Sequence, residues 1–297
     1  MTKKVALVLS AGGARGLAHI GVIEELEKRG YEITSIAGTS MGALIAGVYS
    51  AGRLTEFKQW ALQLSRADVY HLVDFTMNLG FVKMDRVFDV LKTLVGSWQM
   101  KDLKIPTRII AADISGKEEV VFEEGKLFDA IRASVAYPTV ITPFELNGKL
   151  LVDGGIVNPL PVDRVKRNTD DIMVAVDLSA GFDYIPLPKY ENSIEETNNM
   201  TFSIVKNIIS KWRSEPNESE SLRNRWSYLK IIDESLNMMH RKLAQMSIQI
   251  TPPEILISIS QDAAGLFDYY RAEELIEYGR EQAIKSISKW EDNTPNP

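Results

Sequence analysis

Residues 36–47 read Ile-Ala-Gly-Thr-Ser-Met-Gly-Ala-Leu-Ile-Ala-Gly, and how this stretch folds decides the rest of the chain. Ile33 to Ala37 is a short apolar run of strand character, and Met41 to Tyr49 is an apolar segment of helix-compatible residues. Between them stands Gly38-Thr39-Ser40-Met41-Gly42, a Gly-x-Ser-x-Gly match at the strand-to-helix corner where that motif acquires chemical meaning. A sharp turn of this kind lifts a serine hydroxyl clear of the sheet. The N-terminus of the following helix then favours negative charge developing beside it. A tight turn with a capping serine is the other use of such a corner.

Working outward, Val5 to Leu9 is another buried strand, ending at Gly12-Gly13. Residues 17–29 carry apolar positions at Leu17, Ile20, Val22, Ile23 and Leu26, the pattern of an amphipathic helix, and Gly30 closes it. Strand, glycine turn, helix, repeated twice, implies parallel strands with right-handed crossovers. Further strands are expected at 106–114, at 118–125 before a helix over 126–134, at 149–153 and at 171–179. The expected fold is α/β: three α/β/α layers around a mostly parallel sheet, with a helical C-terminal extension. The sheet-forming part continues to about 180. Residues 181–297 make a surface excursion and extension. They hold an amphipathic helix at 202–212 and a longer helix with a stripe at Trp226, Leu229, Ile232, Leu236, Met239, Leu243 and Met246. A late strand at 253–259 and a final helix that packs back on the core complete it.

Composition narrows the chemistry. The 297 residues are 45% apolar and 25% charged, ordinary for a globular chain with a sizeable core. Net charge is −6 with no basic block, which argues against nucleic acid as a partner. Zero cysteines exclude thiol catalysis, disulfides and thiolate metal sites. The apolar run near the N-terminus is too short for a signal peptide, so a cytoplasmic protein is expected, with peripheral membrane contact through apolar side chains left open.

Ser40 needs a partner to take its proton, and only three histidines are available. His19 lies early in the first helix, where a structural role is expected; His71 has no partner in view. His240 falls within the long helix, off its apolar stripe, and reads as a surface or packing residue. Asp153 fits better, because "LLVDGG" ends a strand in a carboxylate followed by Gly154 and Gly155. At a strand end it reaches the edge where Ser40 stands and can serve as the base of a two-residue system; an Asp-Gly turn is the plainer alternative. The loop Ala11-Gly12-Gly13-Ala14-Arg15-Gly16 allows a dinucleotide fingerprint, but the acidic residue expected at the end of the second strand is replaced by Gly38-Thr39-Ser40. Its other use is to aim backbone N–H groups of Gly12, Gly13, Ala14 and Gly16 at an oxyanion, with Arg15 adding positive charge.

Four elements in order now define a resemblance: "AGGARG" at 11–16 with "LAHIGV" after it, "GTSMG" at 38–42, "ASVAYP" at 133–138 and "DGG" at 153–155. The chain resembles the patatin-like phospholipases, in the bacterial branch similar to neuropathy target esterase, closely over about 5–166. Ala11 departs from the glycine usual there. The resemblance implies a Ser40–Asp153 dyad, an oxyanion site on Gly12-Gly13-Ala14 with Arg15 nearby, supporting glycines at 38, 42, 154 and 155, an acyl-enzyme on Ser40, and no metal or cofactor. It implies phospholipid or lysophospholipid esters as substrates, and it leaves a homodimer open. Residues 70–82 offer an acyl groove or lid, and residues 202–213 a membrane contact. The alternatives are an α/β-hydrolase-type esterase with a Ser-His-Asp triad through His240, and a catalytically silent lipid-binding protein.

Overall fold

The computed structural model describes residues 3–72, 85–138, 140–193 and 218–294. The segments expected as acyl groove or lid (70–82) and as membrane-contacting helix (202–213) fall wholly or largely outside the residues whose side chains are described.

The sheet grows from β1 (Lys3–Leu9), whose alternate side chains face two different cores. Val5, Leu7 and Leu9 point into the larger one, and Ala6 and Val8 into a thinner one. Burying each large side chain contributes about 1.5–3 kcal/mol relative to leaving it in water. On one side β1 pairs in parallel with β2 (Tyr31–Thr39), and β2 with β3 (Thr107–Asp113). On the other it pairs in parallel with β7 (Ile172–Ala180), which pairs with β8 (Ile255–Ser260). The remaining strands are antiparallel: β4 (Glu118–Phe122) and β6 (Lys149–Asp153) both pair with β3, and β5 (Phe144–Leu146) pairs with β6. The order is β5-β6-β3-β2-β1-β7-β8, with β4 off that path on β3. The protein is therefore α/β with parallel strands at its centre.

The large core lies between the sheet and α1 (Ala18–Lys28), α2 (Met41–Ser50), α6 (Leu127–Ser134) and α8 (Ala272–Asn293). Further out, α3 (Leu54–Leu62), α4 (Arg66–Leu72) and α5 (Asp85–Val95) extend this layer. Gly30, at φ 79°, ends α1 in the left-handed conformation that glycine adopts without a Cβ penalty. The opposite face is covered by the irregular chain around Leu160, Val162 and Val165 and by the end of α7 (Glu218–Ile250), through Ala244 and Ile248. The stripe expected along α7 is only partly used. Leu236 packs on the large core, whereas Met239 and Met246 are exposed.

Candidate active site

Ser40 sits between the last residue of β2 and the first of α2, at φ 56° and ψ −123°. A side-chain-bearing residue in a sparsely populated region costs about 1–3 kcal/mol and persists where its surroundings over-determine it. The surroundings here are specific. The Ser40 N–H donates to Ser134 Oγ at 2.8 Å, and Ser134 Oγ donates to the Ile110 carbonyl at 2.5 Å. Thr39 Oγ1 donates to the Asn158 carbonyl at 2.8 Å. The flanking glycines are required by backbone contact. A Cβ on Gly38 would stand 2.4 Å from the Gly42 carbonyl oxygen, and one on Gly42 would stand 2.2 Å from that of Leu9.

Asp153 ends β6, and the register explains how it reaches Ser40. Thr39 pairs with Ile110 of β3, and Asp153 pairs with the next β3 residue, Ala111, from the other side. The two residues thus flank β3 at one level. They do not come from adjoining parallel tips, since β6 runs antiparallel to β3. Ser40 Oγ donates to Asp153 Oδ2 at 2.5 Å, and Asp153 Oδ1 accepts the Gly155 N–H at 2.7 Å. The Asp153 N–H donates to the Ala136 carbonyl at 3.0 Å. "ASVAYP" therefore acts as a splint, with Ser134 holding the backbone of Ser40 and Ala136 that of Asp153. Sequence reading noticed this motif without seeing its role.

Asp153 is 1% exposed and Ser40 8%. Burial pushes the Asp153 carboxyl up to about 7, against the hydrogen bonds from Ser40 and Gly155 that favour its ionised form. Such a carboxyl is matched to accept a proton near neutral pH.

The glycine loop lies on the other flank. Gly13 takes φ 56° and lines the same cavity as Ser40. The Ala14 N–H is already engaged, donating to the Leu266 carbonyl at 3.1 Å, and the Ala11 N–H donates to Pro159 at 2.9 Å. Ala14 is thus corrected from a free donor to an anchor of the loop, while the N–H groups of Gly12 and Gly13 have no recorded acceptor among the described residues. Arg15 ties the loop down, Nε donating to the Gly12 carbonyl at 3.1 Å and Nη1 to that of Gln261 at 3.0 Å. Gly16 packs beneath Met41, where a Cβ would stand 2.2 Å from Met41 Cγ. Gly154 lies against the Ile110 carbonyl and Gly155 against His240.

His19 is structural: its Nε2 contacts the Ser10 carbonyl at 3.0 Å, and burial pushes its pKa down to about 4. His240 differs from the sequence reading, being neither a surface residue nor simple core packing. Its ring packs edge-on against Tyr137, with centroids 6.3 Å apart, and Nε2 is buried beside Gly155. Helical periodicity measures burial against a neighbouring element and carries no information about a polar site that the helix crosses.

An apolar cavity of about 940 Å³, counting its mouth, opens on Ser40. Leu44, Phe57, Trp60, Phe88, Leu266 and Phe267 are among its walls. These come from α2, α3, α5 and the turn before α8. Hydrolysis of an ester with an apolar acyl part is the chemistry this arrangement can support.

Comparison with known proteins agrees. The family model of the patatin-like phospholipases matches residues 7–166. An uncharacterized NTE family protein of Mycobacterium tuberculosis is 31% identical, over 97% of this chain and 92% of its own length. The Lysophospholipase NTE1 of Pyricularia oryzae is 25% identical over 99% of this chain, which corresponds to 19% of that much longer protein. Among solved structures, VipD from Legionella pneumophila is similar with a TM-score of 0.48 and 13% identity, covering 97% of this chain and 67% of that one. The class is that of lipid ester hydrolases. The chain belongs to the patatin-like phospholipase family. Among the described residues, no helix is long and apolar enough to cross a membrane.

Proposed function

We propose that the protein is a serine acyl hydrolase that releases a fatty acid from lipid esters through a Ser40–Asp153 dyad. The observation that carries this reading is the 2.5 Å contact from Ser40 Oγ to Asp153 Oδ2 at the head of an apolar cavity. With Asp153 ionised, its Oδ2 takes the hydroxyl proton as Ser40 Oγ adds to the ester carbonyl. The oxygen of the tetrahedral intermediate turns toward the N–H groups of Gly12 and Gly13. Each such donor is worth about 3 kcal/mol of transition-state stabilisation. Collapse expels the alcohol, which leaves with the proton held by Asp153, and an acyl group remains on Ser40. Water then enters, Asp153 removes its proton, and the second intermediate releases the acid and restores the serine. No histidine takes part in these steps, because the hydroxyl hydrogen bond of Ser40 goes directly to the carboxylate.

The cavity favours a substrate with one acyl chain and a polar head left outside, as in a lysophospholipid or another mono-acyl ester. Its described walls are almost entirely apolar, as in sites that take up the apolar part of a ligand. The purified protein is incubated with a mixed lipid extract, and the freed fatty acids and remaining lipids are identified by mass spectrometry. Mono-acyl lipids should disappear first, and Ser40→Ala should release nothing above background. Equal fatty-acid release by Ser40→Ala would contradict the reading.

A further inference from the structure

Helix α7 reaches the dyad from behind and brings two polar side chains, Asp233 and His240, spaced two helical turns apart on one face. Asp233 Oδ1 accepts the Tyr137 hydroxyl at 3.2 Å, and the Tyr137 ring packs edge-on against His240. His240 Nε2 is buried and has no hydrogen-bond partner among the described residues. It faces a particular place: the point where a Cβ on Gly155 would stand is 3.0 Å from His240 Nε2 and 3.1 Å from Asp153 Oδ1. The imidazole edge and the carboxylate thus both border the space that a side chain on Gly155 would fill.

We propose that His240 is a positioning residue for Asp153, presenting a neutral Nε2–H toward Oδ1 across Gly155 and so favouring the ionised carboxylate. A lone pair aimed at a carboxylate would repel it, which selects the Nε2–H tautomer. Burial, with the nearby Arg15 guanidinium, pushes the His240 pKa down to about 4, so the ring is uncharged where the dyad works. The other groups around the pair are compatible with this assignment. Ser40 and the Gly155 N–H hold Asp153 from β2 and its own turn. Tyr137 and Tyr269 lie near Asp153, both hydroxyls with their pKa raised by burial, and Asp233 is held on the Tyr137 hydroxyl. Arg15 is balanced by Asp233, Asp177 and Asp262. Whether the N–H acts as a dipole or through a water that it orients, the sign is the same. It lowers the carboxyl pKa and widens the range in which the base is available.

This assignment presupposes the dyad, so the experiment carries a control for each. The kcat/KM for a soluble p-nitrophenyl ester is measured from pH 5 to 9 for the wild type, Ser40→Ala, His240→Ala and His240→Gln. Loss of turnover in Ser40→Ala tests the hydrolase reading itself. In an active protein, His240→Ala should move the acid limb about one pH unit upward, a ten-fold change in the ionisation constant of the carboxyl. The rate loss is then about ten-fold at pH 6 and shrinks toward pH 9. His240→Gln, which keeps an N–H donor, should return the limb most of the way. A limb that stays in place in His240→Ala, or a loss equal at every pH, overturns the proposal.

Proton NMR on the unaltered protein is independent of any folding defect in the variants, and with three histidines the signals are readily assigned. The His240 ring should remain neutral above pH 5.5, yet its signals should shift with a midpoint near 7 as Asp153 ionises. An unshifted signal, or a midpoint of 6.5 with full protonation, overturns it.

Discussion

At residue level, the burial that raises the proton affinity of Asp153 also ties stability to pH. In the folded chain its carboxyl keeps a proton up to about pH 7, whereas in the unfolded chain it loses the proton near pH 3.9. Between those values the native state binds more protons, so this group makes stability fall as pH rises. His19 and His240, both pushed down to about 4, act in the opposite sense: they are neutral when folded and charge on unfolding below about 6.5, so their contribution is lost as pH falls. Asp153→Asn removes only the first effect. Its Tm minus that of the wild type should therefore increase from pH 4.5 to pH 8, measured by calorimetry in matched buffers; a difference that decreases across that range would show that the carboxyl is not held protonated. The sequence marks both positions at strand ends, Ser40 between Gly38 and Gly42 and Asp153 just before Gly154 and Gly155. The reach of His240 was not legible, because a helix that crosses a site from another part of the chain leaves no local periodic mark.

Among the elements, the strand–turn–helix units at 5–28 and 31–50 followed directly from hydrophobic period and glycine placement. What no period could supply was the direction of β6. An apolar run reads the same in either direction, and only pairing with β3 makes β6 antiparallel and sets Asp153 opposite Ala111. The cavity was hidden for a similar reason: Leu44, Phe57, Trp60 and Ala61 carry the pattern of core residues, and a lined cavity and a filled core have the same pattern. Ala61 of α3 is a small residue in the cavity wall, so a larger side chain there takes up cavity volume. Ala61→Trp should shorten the preferred acyl chain, lowering kcat/KM for long-chain p-nitrophenyl esters at least ten-fold while short-chain esters lose less than three-fold. Equal losses across chain lengths would remove this cavity as the acyl site.

Taken whole, the C-terminal residues complete the core. Strand β8 extends the parallel sheet beyond β7, and α8 lies so close to α1 that a Cβ on Gly279 would stand 2.1 Å from the Ala18 carbonyl oxygen. The start of α8 is fixed by a buried pair, Arg271 Nη2 to Glu274 Oε1 at 2.6 Å, with the Tyr184 hydroxyl donating to the same oxygen. Removing Glu274 takes the 2.6 Å partner from buried Arg271 and leaves Asp268 at 4.0 Å, so Glu274→Ala should cost about 3 kcal/mol in urea unfolding; a loss under 1 kcal/mol would mean that α8 contributes little to the common core. The central association joins residues 113 positions apart in one proton-sharing contact. Its most direct test is the rate at which a fluorophosphonate labels Ser40, followed by intact-mass spectrometry from pH 5 to 9. Labelling of the wild type should rise with a midpoint near 7, and Asp153→Asn should label at least about a hundred-fold more slowly, with no midpoint in that range. Labelling of Asp153→Asn at the wild-type rate, or a wild-type rate indifferent to pH, would contradict the dyad.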